Sequence, residues 1–233
     1  IPRTTAPLIA IPHNPMDLVT DFFACNRKLW TDKLGQISLA TTTLFWGVSG
    51  NLRYIVLAWA AVALHYNTTQ ATNLVAVVAF GTAAGAVYAS MKMRLDEAPK
   101  VMPLAILMGI LILGMMAISN VWVAAPFLIV LGAIGGFLVV PMNALLQHRG
   151  HNLMGAGRSI AVQNFNEQAC ILVLGFAYTF SAGAGVSTYG AITGFGLLVA
   201  GVMYLIKRWH ESNVKNHPGE LAHLLDKARE VEH

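Results

Sequence analysis

An arginine, Arg53, stands inside an apolar stretch of the sequence, roughly 16 residues after the stretch begins at Ile37. A charge at that depth of a membrane is costly by several kcal/mol or more. On a helix, Trp46 and Arg53 share one face, with Asn51 beside them, and a guanidinium suits a phosphate group. We predict an inward-facing anion site at Trp46, Asn51 and Arg53. The alternatives are an arginine that snorkels to the outer interface or a purely architectural ion pair.

A second polar face surrounds Glu167, the only acidic residue deep in an apolar run. Gln163 and Glu167 stand at i, i+4 and so share a face, and Asn164 lies beside them. A face this polar must line a cavity or a helix interface. We predict that it binds substrate, with a cationic amine or a proton as the partner of Glu167. The alternative is that these side chains only hydrogen-bond neighbouring helices.

A third polar position, Asn143, follows Pro141 near the end of another apolar run, and we include Asn143 in the predicted substrate site. Pro141 is expected to kink its helix. His148 and His151 form an H-x-x-H pair in a predicted loop without other ligands at suitable spacing, so we predict no metal site. The sequence contains no Walker A loop and no hydrolase signature. We predict a protein that is not an enzyme, uses no cofactor and works by binding and conformational change.

The elements that must position these residues are membrane-spanning helices. The chain is 56% hydrophobic and only 11% charged, whereas soluble domains carry about 25% charged residues. A span needs about 20 mostly apolar residues. Six runs meet that requirement, at 37–64, 71–91, 101–118, 121–146, 159–181 and 186–206.

The positive residues predict the orientation, because Lys and Arg near membrane ends stay in the cytoplasm. Of the 15 Lys and Arg residues, all except Arg53 fall before the first run, after the last, or in alternate connections. The remaining connections, at 65–70, 119–120 and 183–185, contain neither. We therefore predict that both ends are cytoplasmic. The net charge of +4 matches an anionic inner leaflet and does not indicate nucleic-acid binding.

Three segments follow from this division. Residues 1–36 are predicted to be a cytoplasmic linker, with an amphipathic helix at 16–30, and residues 37–206 form the six-helix membrane unit. Residues 207–233 are a cytoplasmic tail with a short helix at 220–230. Because the chain begins with Ile1 and lacks a signal-peptide pattern, we read it as a segment of a longer protein. Cys25 and Cys170 lie in different contexts, so no disulfide is predicted.

Glycines recur at the spacing that lets membrane helices pack closely. Gly81 and Gly85 make a small-xxx-small pair, and Gly132, Gly135 and Gly136 crowd one side of the fourth run. We predict that these positions mark a tight helix–helix interface.

Several motifs resemble the bacterial inner-membrane lysophospholipid transporters, a family of the major facilitator superfamily. They are TLFWG at 43–47, LRY at 52–54, GGFLVVPMNALLQ at 135–147, RG at 149–150, GAG at 155–157 and IAVQN at 160–164. The resemblance covers about residues 1–209. It implies an all-α transmembrane fold, the six-helix C-terminal half of a major facilitator transporter, with the N-terminal six-helix half missing.

The resemblance also implies a function. Such a protein moves lysophosphatidylethanolamine and related lysophospholipids from the outer to the inner leaflet of the inner membrane. A cytoplasmic-face acyltransferase would then re-acylate them. In that family an arginine of the first C-half helix and a glutamate of the fifth belong to the polar lining of the central cavity. These positions match Arg53 and Glu167.

Two other functions stay open on the residues alone. One is proton-coupled export of a small solute, with Glu167 as the proton carrier and Arg53 tuning its proton affinity. The other is a structural membrane scaffold whose polar residues serve only helix association. A coupling between Arg53 and Glu167 is expected if they lie close together or a zwitterion bridges them.

Overall fold

The computed structural model describes residues 14–230, which are helical almost throughout and contain no strand. The all-α transmembrane class is confirmed. Short 3-10 turns, Leu95–Val101 and Met115–Ala117, extend the helix Met102–Gly114 at its two ends. The helices are α1 Pro15–Thr31, α2 Lys33–Ala63, α3 Thr68–Lys92, α4 Met102–Gly114, α5 Val121–Met154, α6 Ala156–Gly183, α7 Thr188–Asn216 and α8 Pro218–Glu230.

Four helical segments within the described range are long and apolar enough to cross a membrane, namely α3, α4 with its flanking turns, α5 and α7. The two other long helices, α2 and α6, have 31 and 28 residues, so their length suffices. They fall short in hydropathy because they carry the polar residues around Asn51, Arg53, Gln163 and Glu167. The chain is a multi-pass membrane protein, and six spans remain a prediction.

Two helices are longer than predicted. The helix α5 continues to Met154 instead of ending near Leu146, so His148 and His151 lie on a helix and not in a loop. It ends where Gly155 adopts φ 88°, which favours glycine. The helix continues through Pro141 without interruption. In the same way α7 reaches Asn216, ten residues beyond the predicted boundary at Ile206.

The amphipathic segment is a helix as predicted, but its apolar face covers protein. Cys25 and Leu29 of α1 are buried against Leu39, Leu146 and Val162, from α2, α5 and α6. Its other side leaves Met16, Leu18, Val19 and Phe23 exposed. The predicted linker ended at residue 36, but residues 33–36 belong to α2. Residues 1–13 lie outside the described residues.

Glycines bring α3 and α5 into close contact, as predicted. A Cβ on Gly81 or Gly85 would overlap the backbone of Ile129 or Ala133, and one on Gly132 or Gly136 would overlap the Val78 or Thr82 carbonyl. Each helix therefore presents glycine where the other presents backbone, which membrane helices use to pack without a hydrophobic driving force. Gly135 differs, because it faces Phe45 of α2 and Met108 of α4.

Ion pairs join segments that carry the basic residues at one end of the bundle, which we call the basic end. Asp21 of α1 pairs with Arg158 of α6 at 3.3 Å, and Asp96 of the α3–α4 connection pairs with Arg229 of α8 at 3.2 Å. Segments predicted to share the cytoplasmic side therefore meet in space. Their side of the membrane is a prediction that labelling can test.

We predict that single cysteines at Ser119 and Gly183 react with a membrane-impermeant maleimide applied from outside the cell, whereas one at Asn152 does not. All three positions are exposed, so access depends on the side of the membrane and not on burial. The background carries Cys25→Ala and Cys170→Ala. Permeabilised cells are the control, in which Asn152→Cys must also react. Labelling of Asn152→Cys in intact cells would reverse the topology.

Candidate functional site

The two polar helices, α2 and α6, lie side by side. The side-chain amide of Asn51 is buried and donates to the carbonyl oxygens of Gly47, at 2.9 Å, and Ile171, at 3.2 Å. Gly50 packs against Ile171. Asn51 was predicted to belong to a substrate site, but one of its N–H groups bonds within α2 and the other holds α2 to α6. This is the helix-association role of polar residues in membranes.

Arg53 lies on the exposed side of α2, beside Tyr54. Its Nη2 donates to the Tyr54 hydroxyl at 3.1 Å, and the guanidinium carbon lies 5.0 Å from the Tyr54 ring centroid. Residues 14–230 provide no carboxylate that pairs with Arg53. A guanidinium has five N–H donors, so most of its hydrogen-bonding capacity is available to a ligand. The predicted architectural ion pair does not form within this part of the chain.

Tyr54 is a candidate that sequence reasoning missed. Neighbours along a helix point about 100° apart and do not normally face each other, so the pattern gave no reason to pair the two. They meet because both side chains are long and lie on an exposed surface. The tyrosine holds the guanidinium by a hydrogen bond and by its ring face.

An apolar cavity of about 290 Å³ opens beside Arg53, between α2, α3, α4 and α5. Trp46 and Ser49 line it together with Arg53, so the predicted shared face of α2 is real. Trp46 is 39% exposed and lies edge-on to Phe45. This cavity places a cation next to an apolar volume, an arrangement suited to an anionic amphiphile.

A chain of hydrogen bonds joins three other predicted residues. The amide nitrogen of Gln163 donates to the Asn143 side-chain oxygen and, at 2.9 Å, to Glu167 Oε1. Gln163 is buried, whereas Asn143 and Glu167 are half-buried. The structure therefore brings α5 and α6 together through this cluster, which we call the carboxylate cluster. It leaves part of the Glu167 carboxylate open to a donor or a cation.

The remaining amides of α6 have different surroundings. Asn164 is exposed and forms no hydrogen bond with the described residues, so it does not join the carboxylate cluster. Asn166 donates to Asn26 at 2.8 Å and accepts from the Trp30 indole at 3.3 Å, which fixes α1 to α6. The predicted alternative, helix association, therefore applies to Asn166.

Arg53 and Glu167 lie at different depths. Asn51 contacts Ile171 and its side-chain oxygen lies near Gly175, so Arg53 is level with a point about two turns beyond Glu167 on α6. At 1.5 Å per residue this is about 12 Å along the helix axis. The two charges make no direct contact in the described chain, and the coupling between them stays a prediction.

Within residues 14–230, His, Cys, Asp and Glu side chains form no group of three that could hold a metal ion. His148 instead lies 3.4 Å from the Asn152 side chain, one helical turn away on α5.

Comparison with known proteins identifies similar sequences. A protein of Pectobacterium carotovorum subsp. carotovorum (strain PC1) named lysophospholipid transporter LplT is 37% identical over 188 residues, which is 80% of this chain and 46% of that protein. This protein is a homologue of the chain. LplT of Klebsiella pneumoniae (strain ATCC 700721 / MGH 78578) is 36% identical over 189 residues, 81% of this chain and 48% of that protein.

LplT of Yersinia pestis (strain Pestoides F) is 37% identical over 175 residues, 75% of this chain and 43% of that protein. The resemblance to the lysophospholipid transporters is thus confirmed, and these homologues are named as transporters, not enzymes. The chain spans about half the length of the curated relatives it matches. No protein-family profile and no solved structure matches it.

A buried ion pair at the basic end is a second feature that sequence reasoning missed. Arg149 Nε and Nη2 donate to the two oxygens of Asp32, at 2.9 and 2.7 Å, and both side chains are at most 9% exposed. Asp32 also accepts from the Gly35 N–H and so caps α2. This bidentate pair fixes the start of α2 to the end of α5. A cap was readable at Asp32, but a partner 117 positions away was not.

We predict that Arg149→Ala destabilises the protein, by about 3–5 kcal/mol, because it leaves the Asp32 carboxylate buried without its cation. The matched control is Arg158→Ala, whose pair with Asp21 is about 40% exposed on both sides and contributes roughly 0–1 kcal/mol. Thermal unfolding of the purified full-length protein in detergent compares the two variants. Equal melting temperatures would show that the buried pair does not fix α2 to α5.

Proposed function

We propose that the chain forms one half of a lysophospholipid transporter of the bacterial inner membrane, completed by an N-terminal six-helix half. It would move lysophosphatidylethanolamine and related lysophospholipids from the outer to the inner leaflet. A cytoplasmic-face acyltransferase would then re-acylate them. The names of the homologues support the substrate class. The basic end, taken as cytoplasmic by the distribution of Lys and Arg, supports the orientation.

The observation that carries the proposal is the guanidinium of Arg53, without a carboxylate in the described chain, beside an apolar cavity. A cation in hydrocarbon is costly unless something compensates it. An anionic head group that enters from the bilayer supplies the missing charge. Phosphate suits the planar fork of guanidinium donors, because two of its oxygens accept two parallel N–H bonds.

The carboxylate cluster would serve as a second binding site for the same head group. Glu167 lies on α6 about two helical turns closer to the basic end than the level of Arg53. We therefore propose that the two residues act in succession. The phosphate binds at Arg53 first, and the ammonium meets Glu167, held by Gln163, as the lipid moves inward.

Proton-coupled export of a small solute is the second candidate, and one observation favours it. Glu167 is half-buried, accepts one hydrogen bond from Gln163 and has no cation beside it in residues 14–230. A carboxylate so placed is suited to exchange a proton. The two functions differ in what Glu167 binds, and this difference can be measured.

We predict that Arg53→Lys lowers lysophosphatidylethanolamine transport about tenfold, because lysine keeps the charge but loses the bidentate fork. Arg53→Ala should lower it about a hundredfold. Initial rates are measured in proteoliposomes that contain the full-length protein. Arg208, exposed on α7, supplies the control, since Arg208→Lys and Arg208→Ala should transport normally. If Arg53→Ala transports normally but melts at a lower temperature, the arginine is architectural and the head-group site lies elsewhere.

We predict that Glu167→Gln slows transport of lysophosphatidylethanolamine about tenfold and leaves lysophosphatidylglycerol unchanged, because only the former has an ammonium. Glutamine retains an oxygen that accepts from Gln163, so the carboxylate cluster keeps its shape and only the charge is lost. An equal loss of transport for both lipids would contradict the proposed contact between Glu167 and the ammonium group. Dependence of wild-type transport on a pH gradient, abolished by this substitution, would instead favour proton coupling.

A further inference from the structure

The cavity beside Arg53 extends well beyond the reach of a phosphate. Its open side carries Trp46, Arg53 and Ala79, which are exposed. Its buried lining includes Met108 and Ile112 of α4, which are 5% and 1% exposed. The cavity therefore leads from the guanidinium into the interior of the bundle.

Glycines on α5 keep this space empty. Gly132 and Gly135 both line it, and a Cβ on Gly135 would lie 3.0 Å from the Phe45 ring and 3.5 Å from the Met108 sulfur. An unfilled volume forfeits dispersion contacts with its walls. An apolar volume does not hold water well. Its favourable occupant is an apolar group.

The walls of the cavity carry few polar groups besides Arg53. These groups are the Trp46 indole and the hydroxyls of Ser49 and Thr82. The Thr82 hydroxyl already donates to the Val78 carbonyl at 3.0 Å, within its own helix. The lining therefore offers one cation, little other polarity and a long apolar wall. A small solute with several polar groups would leave most of them without partners.

We infer that this cavity holds the single acyl chain of the lysophospholipid whose phosphate lies at Arg53, with the chain end near Met108 and Ile112. The inference rests on the proposed function and deepens it. At about 290 Å³ the cavity is at the lower end of ligand pockets, which span roughly 300–1,000 Å³. This size suits one chain and not the two of a diacyl lipid.

Steric fit, and not hydrophobic gain, then governs selection among acyl chains. A chain that leaves the bilayer for the cavity exchanges one apolar environment for another, so its transfer contributes little free energy. A chain longer than the cavity must bend or displace its walls, and packed walls resist displacement. The depth at Met108 and Ile112 therefore sets the chain length that is carried best.

Photo-crosslinking locates the chain directly. Two lysophosphatidylethanolamines, one with a diazirine at the end of the acyl chain and one with it near the glycerol, are irradiated with the full-length protein in nanodiscs. The chain-end probe is expected to label the peptide with Met108 and Ile112, and the glycerol probe the peptide with Arg53. Unlabelled lysolipid should compete with both.

A matched pair of variants on α3 tests the same point by transport. Ala79 and Ala83 are both exposed, but only Ala79 lines the cavity. Ala79→Phe fills the space and should lower the ratio of stearoyl to decanoyl lysolipid transport about tenfold, whereas Ala83→Phe should not change it.

The outcomes separate the two proposals. Labelling of Phe176 and Phe180, on the exposed face of α6, by the chain-end probe would overturn the acyl-chain inference. If the glycerol probe still labels the peptide with Arg53, the proposed function stands. An equal loss for both chain lengths in Ala79→Phe would also overturn the inference. If neither probe gives an adduct that unlabelled lysolipid competes away, the protein does not bind lysolipid at these helices, and both proposals fail.

Discussion

The positive charge of Arg53, on the exposed side of α2, is the feature from which the proposed function follows. The guanidinium of Arg53 cannot shed its proton, and among the described residues its hydrogen-bond and cation–π partner is Tyr54. Neither interaction neutralises the charge. A cation that is costly without a partner in hydrocarbon favours an anion beside it. This is why we propose that Arg53 binds the phosphate of a lipid.

The other helices position this charge. Glycines of α3 and α5 let the two backbones touch, so the pair is stable without large side chains between them. Gly132, one of these glycines, lines the cavity beside Arg53 together with Gly135. The polar helix α2 is held to α6 by Asn51 and, through Asp32 and Arg149, to the end of α5. Arg53 therefore stands on a helix that is fixed along its length.

Much of this could be read from the sequence, because membrane helices obey simple rules of length, periodicity and charge. Apolar runs predicted the long helices, and the i, i+4 spacing predicted that Gln163 and Glu167 share a face. Contacts between helices could not be predicted in the same way. The register that separates Arg53 from Glu167, the meeting of Asn143 with Gln163, and the Asp32–Arg149 pair all depend on how distant segments align. One sequence holds no direct record of that alignment.

The most direct test of the central claim is a distance measurement between the lipid phosphorus and the arginine nitrogens. Solid-state NMR with ¹⁵N-arginine and lysophosphatidylethanolamine as the only phosphorus compound reports their dipolar coupling in the reconstituted full-length protein. We predict a ¹⁵N–³¹P coupling typical of a direct guanidinium–phosphate contact, which disappears in Arg53→Lys. A bound lysolipid that shows the same coupling in the wild-type protein and in Arg53→Lys, or none in either, would contradict the account.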